Sequence, residues 1–323
     1  MTNVIVANEH GKAPSAMRDV FCTSLIELAE QNDKIVLLDA DLMGAMGTKN
    51  FKKRFPERTI DCGIQEANMI GMACGLSVQG KIPFTHTFAP FCTRRACDQI
   101  FISGAYNHAN VKIIGSDPGI TAAYNGGTHM PFEDMGIMRG IPGMTLVEPS
   151  DNVMLKSLMP QIAGAEGMCY LRLVRKDIKT VYEEGSSFEL GKAAVLSEGT
   201  DVTIIASGYC MTEAISAARI LAEQGVSAGV IDMFTWKPID QEAILKAARA
   251  TGAIVTAENH NIINGLGSAV SEVLARNLPT PVEMVGVNDE FGEVGPVSYL
   301  RERFGLTDEA IVEAAKKAIA RKV

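Results

Sequence analysis

Apolar residues recur along this chain in two alternating rhythms. From residue 15 to 31 they fall at helical spacing, at Met17, Val20, Phe21, Leu25 and Leu28, which predicts an amphipathic helix. Lys34-Ile-Val-Leu-Leu follows as a short continuous apolar run, the pattern of a parallel strand covered on both faces. The alternation then repeats. Helix is predicted over 66–79, strand over 82–85, helix over 91–105, strand over 111–115 and 145–149, and helix over 152–163.

A second block begins near residue 190. Strands are predicted at 201–206, 230–233 and 253–257, and helices at 212–224, 241–251 and 267–275, with Gly225 as a plausible helix C-cap. Strands alternating with helices predict an α/β fold with mainly parallel sheets. Between the blocks, residues 176–187 are charged, carry Gly and Ser and show no apolar period, so they read as a linker.

Composition narrows the function classes. The 323 residues are 47% hydrophobic and 21% charged, ordinary for a globular protein of about two domains. A net charge of −8 opposes nucleic acid and anionic lipid as partners. Seven cysteines without a CxxC pair read as reduced thiols. No basic segment leads into an apolar run at the N-terminus, and no uncharged apolar stretch reaches the roughly 20 residues of a membrane helix. A cytoplasmic location is expected.

Three segments carry candidate chemistry. In Asp61-Cys-Gly-Ile-Gln65-Glu66-Ala-Asn-Met, Glu66 opens a helix whose later positions are small and apolar. A helix-start carboxylate can simply answer the helix dipole. In a segment this poor in charge it would also be poorly solvated, the setting of proton-transfer carboxyls. Next come Phe88 and Phe91, which could clamp a flat ring, although two phenylalanines taken alone read as core packing. The third is Gly115-Ser-Asp117-Pro-Gly-Ile-Thr-Ala-Ala-Tyr-Asn125-Gly-Gly-Thr-His129-Met-Pro, a glycine-rich loop after a strand. Open parallel sheets place ligands at such loops, and a histidine there reads as functional.

Taken together these motifs resemble the transketolase family of thiamine-diphosphate enzymes. Asp39-Ala-Asp41-Leu is similar to the family's Ala-Asp-Leu segment. Gly63-Ile-Gln-Glu66-Ala-Asn-Met is similar to the segment holding its pyrimidine-activating glutamate, Thr87-Phe88 through Phe91 to its aromatic slot, and Asn125-Gly-Gly-Thr-His129-Met-Pro to its Asp-Gly-Pro-Thr-His-Gln-Pro loop. Ser207-Gly, Met233 to Lys237-Pro-Ile-Asp240, and Glu258-Asn-His260 to Gly265-Leu-Gly267 are similar to its C-terminal domain. The resemblance covers nearly the whole chain, with the motifs in order.

What the resemblance implies is specific. The fold would be two doubly wound α/β domains, a pyrimidine-binding domain over 1–180 and a transketolase C-terminal domain over 181–323. Thiamine diphosphate would meet Glu66, Phe88, Phe91, Asp41 and Gln65, with Glu66 activating the pyrimidine and Phe91 stacking on it. His129 would contact the ketol oxygens and shuttle protons. Arg18, Asp117, Asn125 and Arg175 would line the sugar site, the arginines matching the family's phosphate-binding positions. The family's Gly-Asp-Gly segment, which holds Mg2+ and the diphosphate, does not occur here. The chain is therefore similar to the C-terminal subunit of a split transketolase. An N-terminal partner would ligate Mg2+, in an expected α2β2 heterotetramer, and this chain would hold no metal itself.

Three departures bear on substrate. Ser116-Asp117 stands where phosphate-sugar transketolases have a histidine, Asn125 replaces the loop aspartate, and Ala45 replaces a serine near the donor phosphate. An aspartate is a poor phosphate partner, so the usual pentose phosphates come into doubt and an anionic, non-standard ketose, such as a sulfo sugar or an atypical sugar phosphate, is expected. Competing readings are the β subunit of a 2-oxoacid dehydrogenase, half of a deoxyxylulose-phosphate synthase, or a non-catalytic subunit. The Gly-Thr-His129-Met-Pro loop opposes the first two, and Glu66 with the aromatic slot opposes the third.

Overall fold

In a computed structural model, residues 3–176 and 178–322 are described. Twelve strands occur among them: β1 Ile35–Asp39, β2 Thr59–Asp61, β3 Ile82–Phe88, β4 Lys112–Ser116, β5 Thr145–Val147, β6 Cys169–Leu173, β7 Ala194–Ser197, β8 Val202–Ala206, β9 Ala228–Asp232, β10 Thr235–Lys237, β11 Ile254–Asn261 and β12 Val282–Val287. They form a seven-stranded sheet in the order β10-β5-β6-β4-β3-β1-β2 and a five-stranded sheet in the order β12-β11-β8-β9-β7. All pairings are parallel except β10 with β5 and β7 with β9. The α/β expectation with mainly parallel sheets is met.

The continuous apolar runs have a simple cause. On β1, Ile35 and Leu37 enter one hydrophobic cluster, while Val36 and Leu38 enter another on the opposite face. Helices cover both faces, so neither set of alternate side chains meets water. Helix ends are read out locally. Asp240 accepts from the Ala243 amide at 3.1 Å to start Gln241–Thr251, and Gly252 closes that helix in the left-handed region at φ +65°.

Several sequence expectations are corrected. The 91–105 helix is interrupted: Phe91–Arg95 and Ile100–Ala105 are π-helical turns flanking Cys97–Gln99. Strand β6 lacks an all-apolar signal because Arg172 sits in its middle, fully buried. Beyond residue 275 the chain adds β12 and the helices Val297–Arg303 and Asp308–Ala320. The signal for the last helix is local, since the Thr307 hydroxyl accepts from the Ala310 amide at 3.2 Å.

The segment 176–187 is no free linker. Antiparallel bridges pair Lys179 with Lys12, Tyr182 with Val6 and Ser187 with Asn3. Asp151 accepts from the Val181 and Tyr182 amides at 2.9 and 2.8 Å. Polar residues here satisfy backbone and carboxylate groups, so the absence of an apolar period does not mean mobility. The Tyr182 hydroxyl donates to Asp232 at 2.8 Å, and burial pushes the Asp232 carboxyl up to about 8.

That shift has a sign. In the unfolded chain Asp232 ionises from its ordinary 3.8, whereas in the fold it stays protonated to about 8. Its contribution to stability is therefore complete at low pH and is lost as pH rises between those values. Asp232→Asn keeps the shape without the ionisation. Melting curves at pH 5 and pH 8.5 are expected to show the variant gaining on the parent at the higher pH. Parallel shifts at both pH values would refute this.

Candidate active site

The carboxyl ends of four neighbouring strands supply the site. In sheet order these are β6, β4, β3 and β1, which deliver Arg175, Asp117, Phe88 and Asp41 just past their last residues or at them. This is the edge where open parallel sheets bind ligands. Buried polar groups lace three of the strands together. His86 Nδ1 lies 2.7 Å from Asp39 Oδ2, and His86 Nε2 lies 3.0 Å from Ser116 Oγ. Sequence reasoning missed His86, because its partners are 47 and 30 residues away.

Asp61, at the end of β2, accepts from the amides of Asp41 and Gly63 at 3.2 and 3.1 Å. That turn leads through the exposed Gln65, in the N-cap position, into the helix Glu66–Val78. Glu66 is 2% exposed. Its Oε1 accepts from Arg95 Nη1 at 2.8 Å, and its Oε2 is buried with no hydrogen-bond partner. The expectation of charge-free surroundings is thus corrected, since Arg95, at the close of the π-helical turn, pairs with Glu66. The Arg95 guanidinium carbon also stands 4.1 Å from the centre of the Phe91 ring.

Phe91, Phe88 and His129 form a cluster of three rings. The two phenylalanine centroids are 6.3 Å apart, and the His129 ring meets them edge-on at 5.0 and 5.8 Å. His129 Nδ1 lies 2.9 Å from the Thr128 hydroxyl, and Arg94 donates to the Thr128 carbonyl at 3.2 Å. Arg94 is a second positioning residue not anticipated from the sequence. Asn125 is exposed on the same loop.

The second half of the chain grips this loop from behind. Asn259 accepts from the Ile120 amide at 3.0 Å and donates to the Pro118 carbonyl at 3.1 Å. Gly127 packs so closely on the second half that a Cβ there would lie 2.2 Å from the Gly292 carbonyl oxygen. Only glycine permits that approach. The neighbouring motif residues are structural. Glu258 accepts from the Leu266 and Gly267 amides at 2.7 and 2.8 Å, and burial lowers His260 to about 4, so its ring is neutral.

Arg18 and Arg175 converge on one atom. The Ala45 carbonyl accepts from Arg18 at 2.7 Å and from Arg175 at 3.5 Å. Arg175 also holds Asp117, with Nη2 and Nε at 2.7 and 3.0 Å from Oδ2. Asp117 is 3% exposed and adopts φ +56°, a conformation that costs of order 1 kcal/mol in a non-glycine residue. The expected picture of a bare acid opposing an incoming anion is corrected: its charge is matched by Arg175. Arg18 Nε is buried without a hydrogen bond and lies 3.7 Å from Asp19 Oδ1. Arg175 lies 5.3 Å from the Phe88 ring centre, so the arginines adjoin the aromatic cluster. Asp41 and Ala45 also border a cleft of about 740 Å³ that carries Lys49, Lys52 and Lys53.

Comparison with known proteins bears directly on this arrangement. Residues 13–180 match the family model for the transketolase pyrimidine binding domain, and residues 191–311 match that for the transketolase C-terminal domain. A Clostridium sp. (strain MSTE9) protein described as 6-deoxy-6-sulfo-D-fructose transketolase subunit SqwH is 53% identical over 306 residues, 95% of each chain. A putative transketolase C-terminal section from Methanocaldococcus jannaschii is 43% identical, covering 92% of this chain and 94% of that one. Among solved structures, one titled "Split gene transketolase, inactive beta4 tetramer" superposes with a TM-score of 0.90 at 44% identity, covering 96% of this chain and all of that one. Matches to both halves, with a relative 53% identical over 95% of the chain, establish that the chain belongs to the transketolase family.

Proposed function

We propose that the chain is the pyrimidine-binding and C-terminal subunit of a split transketolase, transferring a two-carbon ketol unit from an anionic ketose to an aldose. The observation that carries this reading is Glu66 Oε2, a buried carboxylate oxygen without a partner, one guanidinium away from the Phe91 ring. A buried, unpaired carboxylate oxygen costs free energy unless a ligand donates to it. An aminopyrimidine stacked on Phe91 fits both groups. When bound, thiamine diphosphate supplies the nucleophilic carbon and the electron sink for cleaving a bond beside a ketose carbonyl. Glu66 then holds the proton that sets the pyrimidine's tautomer. Phe91 and Phe88 orient the ring, and Asp41 and Gln65 border it. His129, beside the Thr128 hydroxyl on a loop that Arg94 holds through the Thr128 carbonyl, hydrogen-bonds the ketol oxygens. In this reading an N-terminal partner brings the Mg2+ and diphosphate site, in an α2β2 assembly within the cytoplasm, and the halves of this chain divide as 1–180 and 181–323.

The donor's far end meets Arg18, Arg175 and Asp117, two positive charges and one negative. Both arginines are already partly countered, Arg175 by Asp117 and Arg18 by Asp19 at 3.7 Å, which suits a sulfonate monoanion better than a phosphate carrying about −1.5 to −2. The relative described as a sulfofructose transketolase subunit supports the same class. With one fewer charge-assisted contact for phosphate, kcat/KM for xylulose 5-phosphate is expected to fall about 10- to 100-fold below that for the matching sulfonated ketose. Asp117→His, a residue type tolerated at positive φ, adds positive charge and should narrow the gap. The test is a rate comparison across phosphorylated, sulfonated and uncharged ketoses in the assembled enzyme. A parent that prefers xylulose 5-phosphate, unimproved by Asp117→His, would defeat the sulfonate reading.

A further inference from the structure

Arg95 reproduces two contacts that the reading above assigns to the cofactor. Its guanidinium is flat, cationic and rich in N–H donors. It stands 4.1 Å from the Phe91 ring centre and donates to Glu66 at 2.8 Å. A stacked aminopyrimidine hydrogen-bonded to Glu66 would use the same ring and the same carboxyl. Arg95 makes no other hydrogen bond among the described residues, and its side chain is 46% exposed, so it can swing away. Its neighbour Arg94 is different, being held by both the Thr128 carbonyl and Glu133. The backbone offers a reason for the placement. Arg95 closes the π-helical turn that Phe91 opens, and such wide turns concentrate at functional sites.

We propose that Arg95 is an internal occupant of the pyrimidine slot, latched onto Glu66 and Phe91 in the cofactor-free chain and displaced when the pyrimidine enters. The proposal rests on the reading of this slot as a pyrimidine site. It gives Glu66 a hydrogen-bond partner before the cofactor arrives, and it makes each binding event a competition with a tethered cation. Releasing that competitor should tighten binding, because the cofactor-free state loses a stacking contact and a charge-assisted hydrogen bond that the loaded state does not use.

The test uses the chain assembled with its N-terminal partner, titrated calorimetrically with thiamine diphosphate in the presence of Mg2+. Arg95→Ala is expected to lower Kd about five- to tenfold. It should also lower the melting temperature of the cofactor-free assembly while leaving that of the loaded assembly nearly unchanged. A Kd that is unchanged or raised, with both melting temperatures lowered equally, would show that Arg95 stays on Glu66 throughout and would overturn the latch. Phe91→Ala separates the two levels. If it leaves Kd unchanged, or if the parent assembly binds no cofactor, the slot reading falls and the latch with it. If it weakens binding while Arg95→Ala does not tighten it, the latch alone falls.

Discussion

Glu66→Ala is expected to abolish turnover of the assembled enzyme while the chain keeps its fold. Loss of a proton-transferring carboxyl costs about 10²- to 10⁴-fold in kcat, and saturating cofactor does not restore it. Glu66→Gln should fail as well, because an amide cannot change its protonation. Stability should move little, or upward. The carboxylate is 2% exposed with one oxygen unpartnered, an arrangement that costs free energy, and Arg95 at 46% exposure can return to solvent once released. Sites that trade stability for chemistry behave in this way. Steady-state rates alongside thermal melts check both halves of the expectation. Retention of more than about a tenth of the parent rate would remove Glu66 from its proposed role.

Arg172→Ala should do the reverse, damaging the fold throughout the chain. Arg172 on β6 is fully buried and donates to Asp134 at 2.8 and 3.0 Å, to Glu148 at 2.6 Å and to the Asn259 carbonyl at 2.9 Å. Burial alone would raise Asp134, yet Arg172 holds that carboxyl below its ordinary value. Removing the cation leaves two buried carboxylates without a counter-charge, each held only by a hydroxyl, Tyr170 on Asp134 and Ser207 on Glu148. Breaking such a cluster costs about 3–5 kcal/mol, which is roughly 5–15 °C in melting temperature for a domain-sized unit. Urea unfolding measures it directly. A loss below about 1 kcal/mol would mean that water reaches the carboxylates once the guanidinium is gone.

The contrast between these two residues also explains what could be read from the sequence. Glu66, Phe88, Phe91 and His129 were legible as candidates because the motifs around them resemble a known family, although two phenylalanines taken alone read as core packing. Strands buried on both faces were legible from continuous apolar runs. Arg172 hid β6, since a charge in a strand reads as surface until its carboxylates are known, and Asp134 and Glu148 lie 38 and 24 residues away. The same distance problem concealed the pairing of Asp117 with Arg175, 58 residues apart, and turned an apparent repulsive acid into half of an ion pair. Arg95 gave no signal as a partner, because Glu66 lies 29 residues away. Each of these contacts was set by tertiary packing, which local patterns do not encode.

Strand β10 has a consequence for inheritance. It belongs to the second half by sequence, yet it pairs antiparallel with β5 at the edge of the first sheet. Trp236 on that strand donates to Ser207, which in turn donates to Glu148 of the Arg172 cluster. A gene broken between residues 187 and 235 would therefore produce one fragment with a naked sheet edge and exposed buried ions, and a second with an orphaned tryptophan strand. Neither fragment would survive proteolysis long enough to find the other at low expression. These two halves are therefore expected to be inherited as one reading frame.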